Sequence, residues 1–213
     1  MYSNILVPLD GSDTAECVLS HVEAMTMGKN PVDMTFLYAV EPLNVPLTNY
    51  KYKSHIESEA KETADNYLRD LIQTLSYKER AHSEVILGKA ADVILDYSIE
   101  NKMDMIMMAS HGLSGVSRWI RGSVADKVLH ESRVPVLRIR ASAPCIPFYK
   151  EGQKMKVLVP LDGSELAEFK LNHVRELAKQ FGEQFVYQML TDNEREPHEQ
   201  TIPTRLNHSL VYR

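Results

Sequence analysis

Short apolar runs alternate with longer amphipathic stretches over the first two thirds of the chain. The apolar runs suit strands of a parallel sheet that is covered on both faces. The amphipathic stretches repeat apolar residues every three to four positions, as helices do. This pattern predicts strands at 4–9, 33–40, 83–87, 104–108 and 134–139, and helices from Ser12 or Asp13 to about 27, at about 53–75, at 90–100 and at 123–132.

The regular alternation of strand and helix is typical of a doubly wound α/β fold. Right-handed crossovers would place helices on both faces of a five-stranded parallel sheet. The alternation covers about 140 residues, which is the size of one domain. In such a sheet, ligands bind beyond the carboxyl ends of the strands, at the point where the strand order reverses.

An internal repeat follows this domain. Residues 157–174 match residues 5–22 at 12 of 18 positions without a gap. The repeat predicts a partial β-α-β unit, with a strand at 157–161, a helix at 165–181, a strand at 185–190 and a polar tail to 213. The predicted organisation is a domain at 1–141, a linker at 142–155 and an incomplete second repeat at 156–213.

The incomplete repeat leaves two interpretations open. A β-α-β unit of this size leaves one sheet face and both strand edges uncovered, so it could pack against the first domain or another chain. Alternatively, the chain has lost its last half-domain through truncation or a frame change, and the tail is disordered.

The stretch from 104 to 124 carries the most distinctive chemistry. A predicted strand is followed by small residues, Ala109-Ser110-His111-Gly112, and nine residues later Gly122-Ser123 opens a helix. Unpaired N–H groups and a helix dipole equivalent to about half a positive charge favour an anion at such a helix start. The spacing therefore predicts a phosphate site.

This stretch resembles the signature of the universal stress protein family, in which a Gly, two residues, a second Gly, nine residues and a Gly-Ser or Gly-Thr pair bind ATP phosphates. Here Gly112 is the second glycine and Gly122-Ser123 the final pair, while Ala109 stands at the first glycine position. Alanine is unstrained at negative φ and strained at positive φ, so the effect of this change depends on the backbone. The resemblance covers residues 1–141 and implies an adenine nucleotide alpha hydrolase-like fold with the first and fourth strands at its centre.

The same resemblance implies a set of binding residues. Asp10 would contact the ribose, although an aspartate here could instead cap the next helix. Ala39 and Val40 would contact the adenine edge through their backbone. The floor of the site would be formed by Pro8, Leu9, Gly11 and Ser12. The residues that bind the phosphates would be Ala109, Ser110, His111, Gly112, Gly122, Ser123 and Val124. The loop between these two phosphate-binding segments would contribute Gly115, Arg118 and Arg121.

The sequence predicts no catalytic residue, because His111 lacks an identifiable carboxylate partner and nucleophile. No cluster of His, Cys and Asp has metal-ligand spacing, and any Mg²⁺ would arrive with a triphosphate. The resemblance thus implies a regulator of the stress response that binds ATP, ADP or AMP. The alternatives are a dimeric scaffold of the same family that binds no nucleotide, and a slow ATPase.

Composition narrows the partners and the compartment. With 44% hydrophobic and 25% charged residues, a net charge of −5 and no basic block, the chain is not expected to bind nucleic acid. No apolar run is long enough to span a membrane and no signal region opens the chain, so we expect a cytoplasmic protein. Cys17 and Cys145 are expected to be reduced thiols. Residues 134–139 would form an edge strand, through which relatives dimerise, so a homodimer is expected.

Overall fold

A computed structural model describes residues 2–28, 30–43, 50–111, 123–141, 145, 147, 155–161, 164–181, 185–191 and 198–201. The chain divides into two compact units. The large unit comprises Ser3–Thr26 and Pro31–Pro147, and the small unit comprises Met1–Tyr2, Met27–Asn30 and Phe148–Arg213.

The large unit is built on a five-stranded parallel sheet, as the sequence predicts. The strand order β3-β2-β1-β4-β5 reverses direction between β1 and β4. This is the order of a doubly wound sheet, with β1 at the centre and β4 beside it. The strands are β1 (Asn4–Leu9), β2 (Asp33–Val40), β3 (Ala81–Leu87), β4 (Met105–His111) and β5 (Val136–Ala141).

The connections between these strands are helical. The single helix predicted from about 12 to 27 is divided in two, because Cys17 and Val18 donate their N–H groups to carbonyls three residues back and the chain tightens there. The helices are α1 (Asp13–Glu16), α2 (Leu19–Thr26), α3 (Tyr50–Thr74), α4 (Ala90–Glu100) and α5 (Ser123–Glu131), with a 3₁₀ turn at Lys78–Arg80.

Both faces of this sheet are covered by helices. On one face, Leu6 and Ile106 are fully buried in a cluster with Ile94 of α4 and Val128 of α5. On the other face, the ring of Tyr38 packs edge-on against Tyr67 of α3, with centroids 6.0 Å apart. Burial of each large apolar side chain contributes about 1.5–3 kcal/mol, so this two-sided covering holds the sheet together.

Strand β4 is longer than its sequence predicts. The apolar run ends at Met108, yet Ala109, Ser110 and His111 continue the ladder with β5. The prediction that a turn begins at Ala109 is therefore wrong. The partner strand supplies the hydrogen bonds, so small and polar residues can extend the strand without an apolar pattern of their own.

The small unit is a β-α-β arrangement with one added strand. It contains β6 (Met155–Leu161), α6 (Glu165–Phe181), β7 (Phe185–Thr191) and β8 (His198–Thr201). Strand β6 pairs in parallel with β7, and β8 pairs with β7 in the antiparallel direction. Strand β8 lies in the polar tail, where the sequence pattern indicates no particular element. Strand β8 also covers the outer edge of β7, one of the two strand edges that the sequence predicts to be uncovered.

Long-range polar contacts close the small unit. The side chain of Gln180 is fully buried and donates to the carbonyl of Asn30 at 2.9 Å. The hydroxyl of Tyr2 lies 2.9 Å from Nδ1 of His173. Hydrogen-bonded partners offset the cost of burying such groups, so the segments before β1 and β2 belong to this unit.

The two cysteines correct another expectation. Cys17 and Cys145 form a disulfide within the large unit, with Cα atoms 5.3 Å apart, so the prediction of two reduced thiols is wrong. Their separation of 128 residues leaves no local pattern from which the pairing could be predicted. In the part of the chain that the structure describes, no helix is long and apolar enough to cross a membrane.

Candidate functional site

A crevice opens between β1 and β4 at the carboxyl edge of the large sheet. The two strands share only the ladder pairs Ile5 with Met105 and Leu6 with Ile106. Beyond these pairs β1 follows β2 as far as Leu9, and β4 follows β5 as far as His111. The strands therefore separate at the point where the strand order reverses, which is the position where doubly wound folds bind ligands.

The turn that follows β1 fixes one wall of this crevice. Oδ1 of Asp10 accepts hydrogen bonds from the backbone N–H of Ser12 at 3.0 Å and from its hydroxyl at 2.6 Å. Oγ of Ser12 in turn accepts from the N–H of Ala15 at 3.1 Å and caps α1. Ser12 is thus the cap of α1, so the alternative in which Asp10 itself caps this helix is wrong, and Asp10 orients the cap instead.

Asp10 also keeps binding capacity. The residue is exposed, and its Oδ2 atom makes no hydrogen bond to any residue that the structure describes. A carboxylate oxygen in this position can accept a hydroxyl from a ligand. Gly11 beside it has φ of +77°, a conformation that side-chain-bearing residues adopt only at a cost, so the glycine is needed for the turn itself.

Two tyrosines and a glutamate support this turn, and sequence reasoning did not assign them to the site. The hydroxyl of Tyr38 donates to the carbonyl of Asp10 at 3.2 Å, and the hydroxyl of Tyr67 donates to Oε1 of Glu16 at 2.8 Å. Burial raises the pKa of Tyr67 far above its usual range, and the bond to Glu16 raises it further. Tyr67 therefore keeps its proton and donates a hydrogen bond that holds α1 against α3.

The predicted adenine-edge residues lie at the end of β2. The carbonyl of Val40 already accepts the N–H of Gly88 at 2.9 Å, and the Val40 side chain is buried. One lone pair of this carbonyl is thus in use, while Ala39, one residue earlier, is partly exposed. The contact of their backbone with an adenine edge stays a prediction.

The backbone conformation at Ala109 accommodates alanine at the first glycine position of the family signature. Ala109 lies in β4 and pairs with Ile139. Among the described residues, Lys102 is the only non-glycine with positive φ. Alanine is unstrained at negative φ, so the missing family glycine costs this strand nothing in backbone conformation.

A side-chain bridge joins the end of β4 to the start of α5. Nε of Arg138, on β5, donates to the hydroxyl of the buried Ser110 at 2.6 Å. Its Nη1 lies 3.7 Å from Oδ1 of Asp126, in the first turn of α5. The end of β4 and the start of α5, which both contain predicted phosphate-binding residues, are thereby linked. Arg138 was missed because the pairing of β4 with β5 cannot be derived from local sequence.

The remaining predicted residues divide into two sets. Those at the carboxyl edge of the sheet are brought to one side of the large unit by strands β1, β2 and β4, namely Pro8, Leu9, Asp10, Gly11, Ser12, Ala39, Val40, Ala109, Ser110 and His111. Ser123 and Val124 open α5. Gly112, Gly115, Arg118, Arg121 and Gly122 lie outside the described residues, so the meeting of all the phosphate amides stays a prediction.

Metal ligands in proteins come from clustered His, Cys, Asp or Glu side chains. Within the ranges that the structure describes, no group of three or more His, Cys, Asp or Glu side chains could hold a metal ion.

The fold is an open α/β domain with a crevice at its switch point. Residues 1–140 match the sequence model of the universal stress protein family. The chain belongs to this family.

Known relatives agree with this assignment. The universal stress protein MJ0577 of Methanocaldococcus jannaschii is 27% identical over 158 residues, which covers 66% of this chain and 96% of the relative. A universal stress protein structure from Archaeoglobus fulgidus has a TM-score of 0.66 at 22% identity and covers 90% of this chain and 67% of that chain. An Arabidopsis thaliana family member, solved with AMP bound, has a TM-score of 0.50 at 13% identity over 68% of this chain and 95% of its own.

Proposed function

We propose that the large unit binds an adenine nucleotide, ATP or its products ADP and AMP, and acts as a nucleotide-dependent regulator of the stress response. The observation that carries this proposal is the separation of β1 from β4 beyond Leu6 and Ile106. The crevice so formed has Asp10 on one side and Ser110 on the other. The Arabidopsis relative with AMP bound supports a nucleotide as the ligand.

Each part of the nucleotide has a candidate partner. Asp10 accepts the ribose hydroxyls through its second oxygen, and the backbone at Ala39 meets the adenine edge. The N–H groups of Ser123 and Val124, at the start of α5, face the phosphates with the helix dipole behind them. Mg²⁺ would be held chiefly by phosphate oxygens and water.

Binding without efficient hydrolysis is the second part of the proposal. Hydrolysis needs a base or a residue that positions water within hydrogen-bond reach of the phosphates. Asp126 is engaged by Arg138, and the free oxygen of Asp10 is assigned to the ribose, so neither carboxylate is assigned as a base. We therefore expect at most slow release of phosphate from ATP, in a cytoplasmic protein.

Calorimetry with ATP, ADP and AMP tests the proposal, with the variants Asp10→Ala and Asp162→Ala as a matched pair. Asp162 occupies the repeated position in the second Asp-Gly-Ser segment. Loss of a charge-assisted hydrogen bond worth about 1.5–3 kcal/mol should weaken binding by roughly 10- to 150-fold in Asp10→Ala only.

Two results would contradict nucleotide binding. One is the absence of binding heat with all three nucleotides. The other combines two negative findings. Chromatography detects no adenine nucleotide released when the purified protein is denatured, and added nucleotide does not raise the melting temperature of the protein.

The outer strand of the large sheet supports a homodimer as part of this proposal. β5 is the last strand in the order, and its outer edge has no partner within the described residues. Unpaired edge N–H and C=O groups favour pairing with a second copy. Light scattering at micromolar concentration should give twice the chain mass, and a monomer would refute it.

The small unit is proposed to be an incomplete second repeat of the family domain, with bounds 156–213 after a linker at 142–155. The identity with residues 5–22 supports this, as does the parallel pairing of β6 with β7, which matches that of β1 with β2.

A further inference from the structure

The disulfide joins two regions that differ sharply in exposure. Cys17 follows α1 and is 8% exposed, whereas Cys145 lies four residues beyond β5 and is exposed. Their Cα separation of 5.3 Å lies within the range of about 4.4–6.8 Å seen in native disulfides. The two backbones are thus already placed for the bond to form or break without a change of fold.

The difference in exposure assigns different chemical roles to the two sulfurs. Cys145 is an exposed residue that a soluble oxidant or thiol can approach, whereas Cys17 is a buried residue that the fold shields. In reducing compartments, disulfides are usually transient and serve catalysis or redox sensing. A bond between one exposed and one buried cysteine fits such a transient disulfide.

We propose that Cys17 and Cys145 form a reversible oxidative modification site, whose oxidant is a peroxide and whose reductant is a dithiol. The Cys145 thiolate attacks a peroxide oxygen, which gives a sulfenic acid at Cys145 and releases water. The Cys17 thiolate then attacks the sulfenic sulfur, and the departing hydroxide leaves as a second water. Two thiols and one hydrogen peroxide thus yield one disulfide and two waters.

Reduction reverses the change through Cys145, the exposed residue of the pair. A thiolate of the dithiol attacks the sulfur of Cys145, and Cys17 leaves as a thiolate. The second thiol of the dithiol then displaces Cys145 and carries the disulfide away. Both protein thiols are restored and the dithiol is oxidised.

The bond fastens Cys145 to the bend between α1 and α2. It closes a loop that contains β2, β3, β4 and β5, and the two ends of this loop are separated by 128 positions in the sequence. A closed loop of this length restricts the unfolded chain, so the oxidised protein should melt roughly 5–15 °C above the reduced protein.

The test uses the full chain, reduced with dithiothreitol, freed of reductant and then treated with equimolar hydrogen peroxide. Thiols are counted after denaturation, and peptide mass mapping locates any bond. We expect both thiols to disappear at a rate independent of protein concentration, a 17–145 peptide, the higher melting temperature and full recovery of both thiols with dithiothreitol.

Two variants separate the roles of the sulfurs. Cys17→Ser should accumulate a sulfenic acid at Cys145 that dimedone traps. Cys145→Ser should keep an unreacted Cys17 thiol, and neither variant should gain melting temperature with peroxide. Three results would each overturn the proposal. The peroxide-treated wild type could retain both thiols, or form disulfides only between chains. The third is a 17–145 bond that dithiothreitol cannot reduce in the folded protein.

Discussion

The β1-to-β2 segment of the large unit and the β6-to-β7 segment of the small unit carry nearly the same residues in different surroundings. Leu6 and Leu158 occupy the same position of the repeat, yet Leu6 is 0% exposed and Leu158 is 57% exposed. In the large unit, β4, α4 and α5 cover Leu6. The described residues of the small unit contain no counterpart of these three elements. Burial of this leucine is therefore decided by later parts of the chain.

The helices of the two segments differ as well. The first segment breaks between α1 and α2 at Cys17 and Val18, whereas α6 runs unbroken from Glu165 to Phe181. The small unit has Phe and Lys at the two corresponding positions, and lysine favours helix more than valine does. A break and a disulfide thus occur together in one copy of the pattern and are absent at the same position of the other.

The largest expected contrast is between Leu6→Ala and Leu158→Ala. Leu6→Ala leaves a cavity in the core and should lower the free energy of unfolding by about 2–5 kcal/mol. Leu158→Ala removes a side chain that is mostly in solvent and should change it by less than about 0.5 kcal/mol. Urea denaturation of the two variants measures both changes in the free energy of unfolding. Similar losses would show that Leu158 is covered in solution.

Gly11→Ala should have the next largest effect. Alanine in the left-handed conformation costs about 1–2 kcal/mol, and no steric clash adds to this because the new Cβ would lie 3.9 Å from the Tyr38 ring. Gly163→Ala, at the repeated position, is the matched variant. An equal loss in both, measured by thermal melting, indicates the same turn in both copies, and no loss in Gly11→Ala contradicts the assigned conformation.

Removal of the helix caps should cost less. Ser12→Ala deletes the bond to the N–H of Ala15 and should lower stability by about 1 kcal/mol. Ser164 precedes α6 at the equivalent position, and its carbonyl accepts the N–H of Glu168 at 3.0 Å. Denaturation of Ser12→Ala and Ser164→Ala compares the two helix starts. A neutral Ser12→Ala would mean that the cap contributes nothing to folding.

The smallest effect concerns pH. Burial lowers the pKa of His21 below its ordinary 6.5, so the unfolded chain takes up a proton there before the folded protein does. The free energy of unfolding should therefore fall as the pH drops below 6.5. His21→Gln should flatten this dependence, measured by urea denaturation from pH 8 to 5. His173→Gln, at the repeated position, is the control, and an unchanged slope in His21→Gln would disprove the assignment.

Local pattern was sufficient to predict most of the architecture. The bounds of β2, α4 and α6 agree with the predicted 33–40, 90–100 and 165–181, because an apolar run or helical stripe defines each of them. Strand β8 could not be predicted, since the sequence His-Glu-Gln-Thr has no apolar alternation and pairs only because β7 offers an edge. Ala109–His111 joined β4 for the same reason.

The candidate site shows a similar division. Asp10, Gly11 and Ser12 stand at the end of β1 as expected, because a strand followed by Asp-Gly-Ser predicts a turn locally. Tyr67 and Arg138 were missed because their contacts depend on how α3 and β5 are placed against the sheet. The disulfide was missed because its partners are brought together by the whole large unit.

The separation of β1 from β4 also affects hydration. Beyond the pair of Leu6 and Ile106, the N–H and C=O groups that these two strands point toward each other lack a ladder partner, and such groups require water or a ligand instead. Ordered water is therefore expected in this gap, and its release to bulk would add favourable entropy to ligand binding. Backbone amides of β4 near Ala109 should exchange with deuterium faster than those near Met105, and an occupied gap should slow that exchange.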